Sequence, residues 1–418
     1  MTMDASDAAK PRVLVVVGGI PHPTIGASLV LYHHYIQGLK QAGFDVLNLL
    51  LLQPDNSDES RLTAYRREME AANFQILACR SPRFVRTNRF WHSFNRAALQ
   101  PVRAEVEAFG ADVTLCLDLA SAWAVEGWHV GRRIGWLGDL NFQTFLYHAL
   151  YARAEGEAGI VFVLVNRWHA FLWKRLYARI LRGFASVIVA SWSSEQEMAK
   201  LGIKAIYLPY PWPSEPSRVP ANRSAKPTFF FFGQLQGLGS RSAFHAMERG
   251  IYPALKAVWG AGGFEILIGG RGGLPDWVRA AVADKPEFRY LGFVEDLDPV
   301  LAGCHAVLAP IDVPVGNRSR VLTALSKRAL VVAHGNTALG NPDLVDGVSC
   351  YLAETTEGFV NRLRRAVEKP DEAAAVAERG YQVYKTRFSP DAAVPPLVEI
   401  VRNITAGAAL NVAKGISR

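Results

Sequence analysis

The chain is poor in the features that mark several protein classes. Its 418 residues include only four cysteines, Cys79, Cys116, Cys304 and Cys350. Their wide separation gives neither a zinc-ligand spacing nor a disulfide framework. Such residues are expected as small core side chains in a reducing compartment. No run of 18 or more uncharged apolar residues occurs, so no segment reads as a membrane-spanning helix. The opening MTMDASDAAKPR carries acids before the first apolar run, whereas a secretory leader starts basic and then turns apolar. Cytoplasmic residence is therefore the expectation. Low-complexity tracts and short repeats are also missing, which argues against a disordered scaffold or a solenoid.

What is present is a large apolar fraction, 50%, enough for the cores of two or three ordinary domains. The net charge is +8, from 46 basic and 38 acidic residues. That excess fits a phosphorylated substrate, an anionic membrane or a nucleic acid, and does not choose among them.

Short apolar runs alternate with helical patterns along the chain. Residues 13–17 form a continuous apolar run before Gly18 and Gly19, the pattern of a strand buried on both faces. A helix follows over 28–42, stopped by Gly43, and then a strand over 46–52. Further strands are predicted at 74–78, 113–117, 133–137, 187–190 and 205–208. A Pro-, Ser- and Arg-rich segment, 210–225, reads as a linker. The alternation then restarts, with strands at 228–232, 265–268, 288–291, 306–309 and 330–333. A helical region over 391–406 ends the pattern. Alternation of this kind predicts α/β domains with parallel sheets covered by helices. We divide the chain into a first Rossmann-like domain (1–212), a linker (213–226), a second Rossmann-like domain (227–388) and a C-terminal helix (389–418) that packs back on the first domain. Ligands of open parallel sheets bind at the strand C-termini, so a small-molecule site is expected in the interdomain cleft.

The richest constellation is VGNRSRVLTAL, 315–325, after the apolar run HAVLAP and at the start of a helix. Gly316 permits a tight turn, and Asn317 or Ser319 can cap the helix. Free amides and the helix dipole favour an anion there, and Arg318 and Arg320 add two cations. Forked guanidinium donors suit a diphosphate. An exposed first turn with two solvated arginines is the plainer alternative. Turns at Gly233-Gln234 and Gly269-Gly270-Arg271 follow strands and would let backbone approach a ligand closely, or serve as ordinary strand-to-helix turns.

These segments resemble the donor domain of GT-B glycosyltransferases, in particular glycosyltransferase family 4. FFFFGQLQG resembles the first donor-domain strand and its glycine turn, and EILIGGRGG an apolar strand with a glycine-rich turn. RYLGFVEDLDPVLAGCHAVLAP and SRVLTALSKRALVVAHGNTALGNPDLVDGVSCYLA follow in the family's order, and the resemblance runs over most of the chain. It implies a GT-B fold and transfer of a sugar from a nucleoside-diphosphate sugar. It also implies that Gly233, Gln234, Gly270, Arg271, Val294, Arg318, Ser319, Arg320 and Thr323 meet the nucleotide. Phe293 and Val294 fall where the family's backbone meets the base. The amides of Gly26, Ala27 and Ser28 open a helix facing the transferred sugar or phosphate. The chain departs from the family at two glutamates eight positions apart, replaced here by Val315 and Thr323. The lysine usual after the first donor-domain strand is also missing, with Arg241 as its weak substitute.

For the acceptor hydroxyl a base is needed in an inverting mechanism, whereas a retaining one can use the departing phosphate. Asp139, just after the run RRIGWL, ranks first, ahead of Asp118 and His22. Each of these also suits a cap or turn. The pair Asp296 and Asp298 imitates a metal motif but fits a surface turn, so no metal is expected. No cofactor is expected beyond the nucleotide sugar, which is substrate. GGRGG is not a complete dinucleotide fingerprint, which disfavours a dehydrogenase.

Two acid-free stretches remain. Residues 80–103 hold six arginines among aromatics, and residues 158–194 carry Arg167, Lys174, Arg175, Arg179 and Arg182. On a helix those five fall within an arc of about 140°. The composition suits peripheral contact with anionic lipid, or else a buried helix whose basic side chains reach outward. No nucleic-acid recognition module is present. The acceptor expected is therefore a lipid-linked or other envelope glycan. The alternatives are a non-catalytic GT-B nucleotide- or glycan-binding protein and a sugar-nucleotide epimerase.

Overall fold

In the computed structural model, strand β1 (Arg12–Gly18) shows why the first apolar run is continuous. Val13, Val15 and Val17 join one core while Leu14 and Val16 join another, on opposite faces of the same sheet. The structure describes residues 10–24, 26–52, 59–81, 83–86, 92–216, 219, 222–270, 272–315 and 318–407.

The first sheet contains β1, β2 (Asp45–Leu52), β3 (Gln75–Arg80), β6 (Val113–Leu117), β7 (Arg132–Leu137), β8 (Ser186–Val189) and β9 (Ala205–Tyr207). Their spatial order is β3-β2-β1-β6-β7-β8-β9, and all pairs are parallel. A small antiparallel hairpin of β4 (Arg83–Arg86) and β5 (His92–Asn95) stands apart from it. The second sheet holds β10 (Thr228–Phe232), β11 (Glu265–Gly269), β12 (Phe288–Gly292), β13 (Ala306–Ala309), β14 (Val331–His334) and β15 (Tyr351–Ala353). Its order is β12-β11-β10-β13-β14-β15, again parallel throughout. Two Rossmann-like domains with parallel sheets result, as the alternation predicts. Strand β15 and the β4–β5 hairpin are additions that it did not predict.

The C-terminal helix Pro390–Thr405 crosses to the first domain and packs on helix Ala27–Gln41. Gly38 makes this contact fit, because a Cβ there would lie 2.1 Å from Val394 Cγ1. Arg132 Nη1 also donates to Ile404 O at 3.3 Å. The linker is strapped from the other side. Trp212 N donates to Phe388 O at 2.7 Å, and Tyr384 Oη donates to Trp212 O at 2.7 Å. One core cluster therefore runs from the first sheet through the C-terminal helix to the second.

Contacts of two kinds join the domains across the cleft. After β8, Trp192 N and Ser193 N donate to Gly340 O and Leu339 O, each at 3.0 Å. At the end of helix Asn141–Ala154, Tyr151 Oη lies 2.7 Å from His245 Nδ1. Glu155 Oε2 lies 2.8 Å from both His245 Nδ1 and Arg249 Nη1. Glu157 pairs with Arg241, whose guanidinium also lies over the Tyr151 and Trp277 rings. Burial draws His245 below its ordinary range, against the pull of Glu155. This clasp sets acidic and phenolic groups of the first domain against basic groups of the second. Replacing Glu155 by alanine removes the carboxylate that His245 and Arg249 share, leaves His245 with the Tyr151 hydroxyl, and should cost about 1 to 3 kcal/mol of interdomain contact. The expected readout is a larger radius of gyration by small-angle scattering. Scattering identical to the wild type would show that the 192–193 strap, the C-terminal helix and the Glu157–Arg241 pair hold the domains without Glu155.

Candidate nucleotide-sugar site

The C-terminal ends of β10, β11 and β12 surround a cavity of about 480 Å³. Phe230, Phe232, Gly233, Gln234, Gly269, Gly270, Phe293, Val294 and Leu297 line it. The rings of Phe230 and Phe232 stack at 5.0 Å. An apolar, aromatic cavity of this size at the carboxyl edge of a parallel sheet suits a flat heterocycle. Phe230 and Phe232, on strand β10, and Leu297, just before the helix that starts at Asp298, escaped sequence reasoning because an apolar residue shows no outward sign of lining a cavity. The pointers were the glycine turns at 233 and 269–270 and, through the family resemblance, Phe293 and Val294.

Gly233 connects this cavity to a buried cation. Its φ is 131°, and a Cβ there would lie 2.9 Å from Arg320 Nη2. Only glycine lets that guanidinium reach the turn. Arg320 stands in the first turn of helix Ser319–Ser326, and its Cζ lies 5.0 Å from the centroid of the Phe231 ring. Its Nη2 donates to Ser240 Oγ, while Nη1 is buried with no hydrogen-bond partner among the described residues. Burial, helped by the Arg318 charge, pulls Arg320 down to about 10. A buried guanidinium with an unused donor is a strong demand for an anion. Ser240 was not foreseen; its signal is a small hydroxyl residue in the first turn of the helix that follows the Gly233 turn.

Arg318 and Arg320 divide their work, which two arginines two positions apart could not reveal in sequence. The side chain of Arg318 turns into the loop and donates to Val313 O and Val315 O, both at 2.5 Å. It also occupies the cap position of the helix without a side-chain cap bond, so Ser319 sits inside the first turn and not at the cap. Thr323 Oγ1 accepts from Trp212 Nε1 at 2.9 Å, so the hydroxyl faces the linker. Gly316, Asn317 and Arg271 lie outside the described residues. Arg241, the weak lysine substitute, is drawn into the clasp with Glu157.

A path of contacts leads from the cation to the first domain. Gly239, next to Ser240, would place a Cβ 3.7 Å from Arg318 Nη1. Arg318 then lines a narrow interdomain crevice with Asp139, Gln143, Ser191, Ser193, Pro314 and Thr337. Burial lowers Arg318, and the negative charge of Asp139 opposes that fall most. Asp139 follows β7 at the carboxyl edge of the first sheet, solvent-accessible and facing the second domain across the crevice. At the same edge, after β1, Gly26 (φ 79°) opens helix Ala27–Gln41 with no side-chain cap bond. The turn at Gly26, Ala27 and Ser28 therefore keeps its dipole uncapped by a side chain.

The other two candidate bases have local duties. Asp118, at φ 89°, caps helix Leu119–Ala124 by accepting from Ser121 N at 2.9 Å. Burial pushes its carboxyl up to about 6. His22 Nδ1 accepts from Thr24 N at 3.1 Å and shapes its own loop. Asp298 pairs with Lys327 at 2.8 Å, and its amide donates to Asp296 Oδ1 at 2.9 Å. Among the described residues no group of three or more His, Cys, Asp or Glu side chains could hold a metal ion.

Residues 226–369 match the sequence profile of the family described as Glycosyl transferases group 1. The second domain is a group 1 glycosyltransferase domain. The whole chain is similar to solved GT-B structures. A glycosyltransferase from Rickettsia africae ESF-5 aligns at a TM-score of 0.63 and 12% identity, over 95% of this chain and 99% of its own. Sucrose-phosphate synthase from Thermosynechococcus elongatus gives 0.63 and 12%, over 96% and 100%. The Anabaena protein HepE, in complex with UDP and glucose, gives 0.59 and 12%, over 94% and 100%. No curated protein sequence matches the chain significantly. The family match thus covers the second domain, and the whole chain has the GT-B fold.

Proposed function

We propose that the enzyme moves a sugar from a nucleoside-diphosphate sugar to a lipid-linked or other envelope glycan, working beside a membrane surface. The observation that carries this reading is the Nη1 of Arg320, buried without a partner among the described residues beside a roughly 480 Å³ apolar cavity. The base fills the cavity, the diphosphate lies against Gly233, Arg320 and Ser240, and the sugar points along the path to Arg318 and Asp139. Similarity to HepE, solved with UDP and glucose, supports such a donor. The reaction needs no cofactor and no metal, because the buried guanidinium supplies the positive charge.

In the transfer step the acceptor oxygen bonds to the anomeric carbon as the bond from that carbon to the diphosphate breaks. The electron pair leaves with the nucleoside diphosphate, where Arg320 stabilises the new charge. The acceptor proton passes to the Asp139 carboxylate. Domain closure at the clasp keeps water from competing.

A thermal-shift screen against UDP, GDP, TDP and ADP and their common sugars tests the reading. One nucleotide should raise the melting temperature selectively, because binding to the native state alone stabilises it by mass action. No shift with any of them removes the donor site.

A further inference from the structure

We infer that the helical hairpin 141–180 is a docking surface for anionic lipid bilayers. The inference rests on the lipid-linked acceptor reading and identifies where that membrane lies. Fifteen large hydrophobic side chains are exposed among the described residues, and nine of them fall in these 40 positions. Two come from helix Asn141–Ala154, Phe145 and Leu150. The other seven come from helix Ile160–Ile180. Val161 is 69% exposed, Leu164 56% and Trp168 40%. The opposite side of the same helix is ordinary core, with Val163, Asn166, Ala170, Leu172 and Leu176 buried. An apolar strip this concentrated marks an interaction site.

Charge selects the occupant. No acid occurs from residue 158 to residue 194. Arg167 and Arg175 are exposed among the apolar side chains. Arg179, 3.5 Å from Glu126, and Arg182 continue the exposed stripe toward the helix end. The acids that precede the helix, Glu155 and Glu157, are held by the second domain. A second copy docking through the same face would set arginine against arginine with no acid on the helix to relieve them, which disfavours a symmetric dimer. A lipid surface with anionic headgroups answers both features, since it takes Val161, Leu164 and Trp168 below the headgroups and leaves the guanidinium groups among the phosphates. The helix lies in the interface and does not cross it, because no helix among the described residues is long and apolar enough to span a membrane. The clasp residues Tyr151, Glu155 and Glu157 occupy the joint of the hairpin, so the docked face adjoins the mouth of the interdomain cleft.

Vesicle flotation of the full chain tests this. Vesicles of phosphatidylcholine with phosphatidylglycerol should carry the protein, less so at high salt, and vesicles of phosphatidylcholine alone should carry at least tenfold less. Val161→Asp combined with Leu164→Asp should weaken flotation by more than about tenfold, since two apolar groups are lost and two like charges meet the anionic surface. Both positions face solvent, so the melting temperature should not change. Arg167→Glu should weaken flotation roughly tenfold and flatten its salt dependence. Wild-type protein that ignores both vesicle types, variants that float like the wild type, or a wild-type dimer by light scattering that Val161→Asp dissolves would each overturn the inference. Nucleotide thermal shifts are read separately, so retained shifts without flotation would reject the docking surface and leave the transferase reading standing.

Discussion

Arg320→Ala should abolish most nucleotide binding while leaving the empty protein at least as stable as before. The two halves of this expectation come from one observation, a guanidinium buried with an unused Nη1 and only Ser240 Oγ accepting from Nη2. A charge in that position costs the empty fold desolvation energy that no acid offsets. Removing it relieves that cost, so the melting temperature without ligand should hold or rise. With ligand the balance reverses. A charge-assisted hydrogen bond to a diphosphate contributes about 2 kcal/mol, and its loss weakens affinity by roughly 30-fold. Isothermal titration with the nucleotide found by thermal shift measures this directly. Arg320→Lys should recover part of the affinity, because an ammonium keeps the charge but loses the fork. Unchanged affinity in Arg320→Ala would remove the diphosphate assignment. A fall in stability without ligand would instead make Arg320 a structural residue tying β10 to the helix at 319–326.

How much of this was legible in the sequence depends on the range of the interactions. The parallel sheets were legible because a strand buried on both faces needs an unbroken apolar run, and residues 13–17 and 228–232 are such runs. Strand β15 has three residues, too few to show any period, and β4–β5 lies in a stretch noticed for its arginines. The glycine turns marked the right strand ends because close approach is a local demand on the backbone. The different fates of Arg318 and Arg320 were hidden, since they depend on which carbonyls and cavities the loop at 313–315 presents. The clasp was hidden more deeply. Glu155 and His245 stand 90 positions apart, and each reads alone as an ordinary surface group. The helix at 160–180 was open to two readings, and the structure divides it, with one face in the core and the other exposed.

Asp139→Asn should lower kcat by about 100-fold or more and leave nucleotide affinity unchanged, the signature of a lost proton acceptor. The substitution keeps the shape and removes only the charge, so it separates chemistry from packing. Asp139 has a competing duty, because its charge opposes the fall that burial imposes on Arg318. Were that its main role, the Asp139→Asn variant would leave a buried guanidinium less compensated. Stability would drop, the loop at 313–315 would loosen, and donor affinity would weaken with it. The two roles therefore predict different pairs of measurements. The pH profile gives a third discriminant. A base must be deprotonated to act, so kcat/KM of the wild type should fall on the acid side, and that limb should vanish in Asp139→Asn. Asp118 also titrates near neutrality, at about 6, but its carboxylate caps helix Leu119–Ala124 and its loss should move stability before rate. An acid limb that survives in Asp139→Asn and disappears in Asp118→Asn would transfer the base from one strand end to its neighbour, since β6 and β7 are adjacent in the sheet and both open on the cleft.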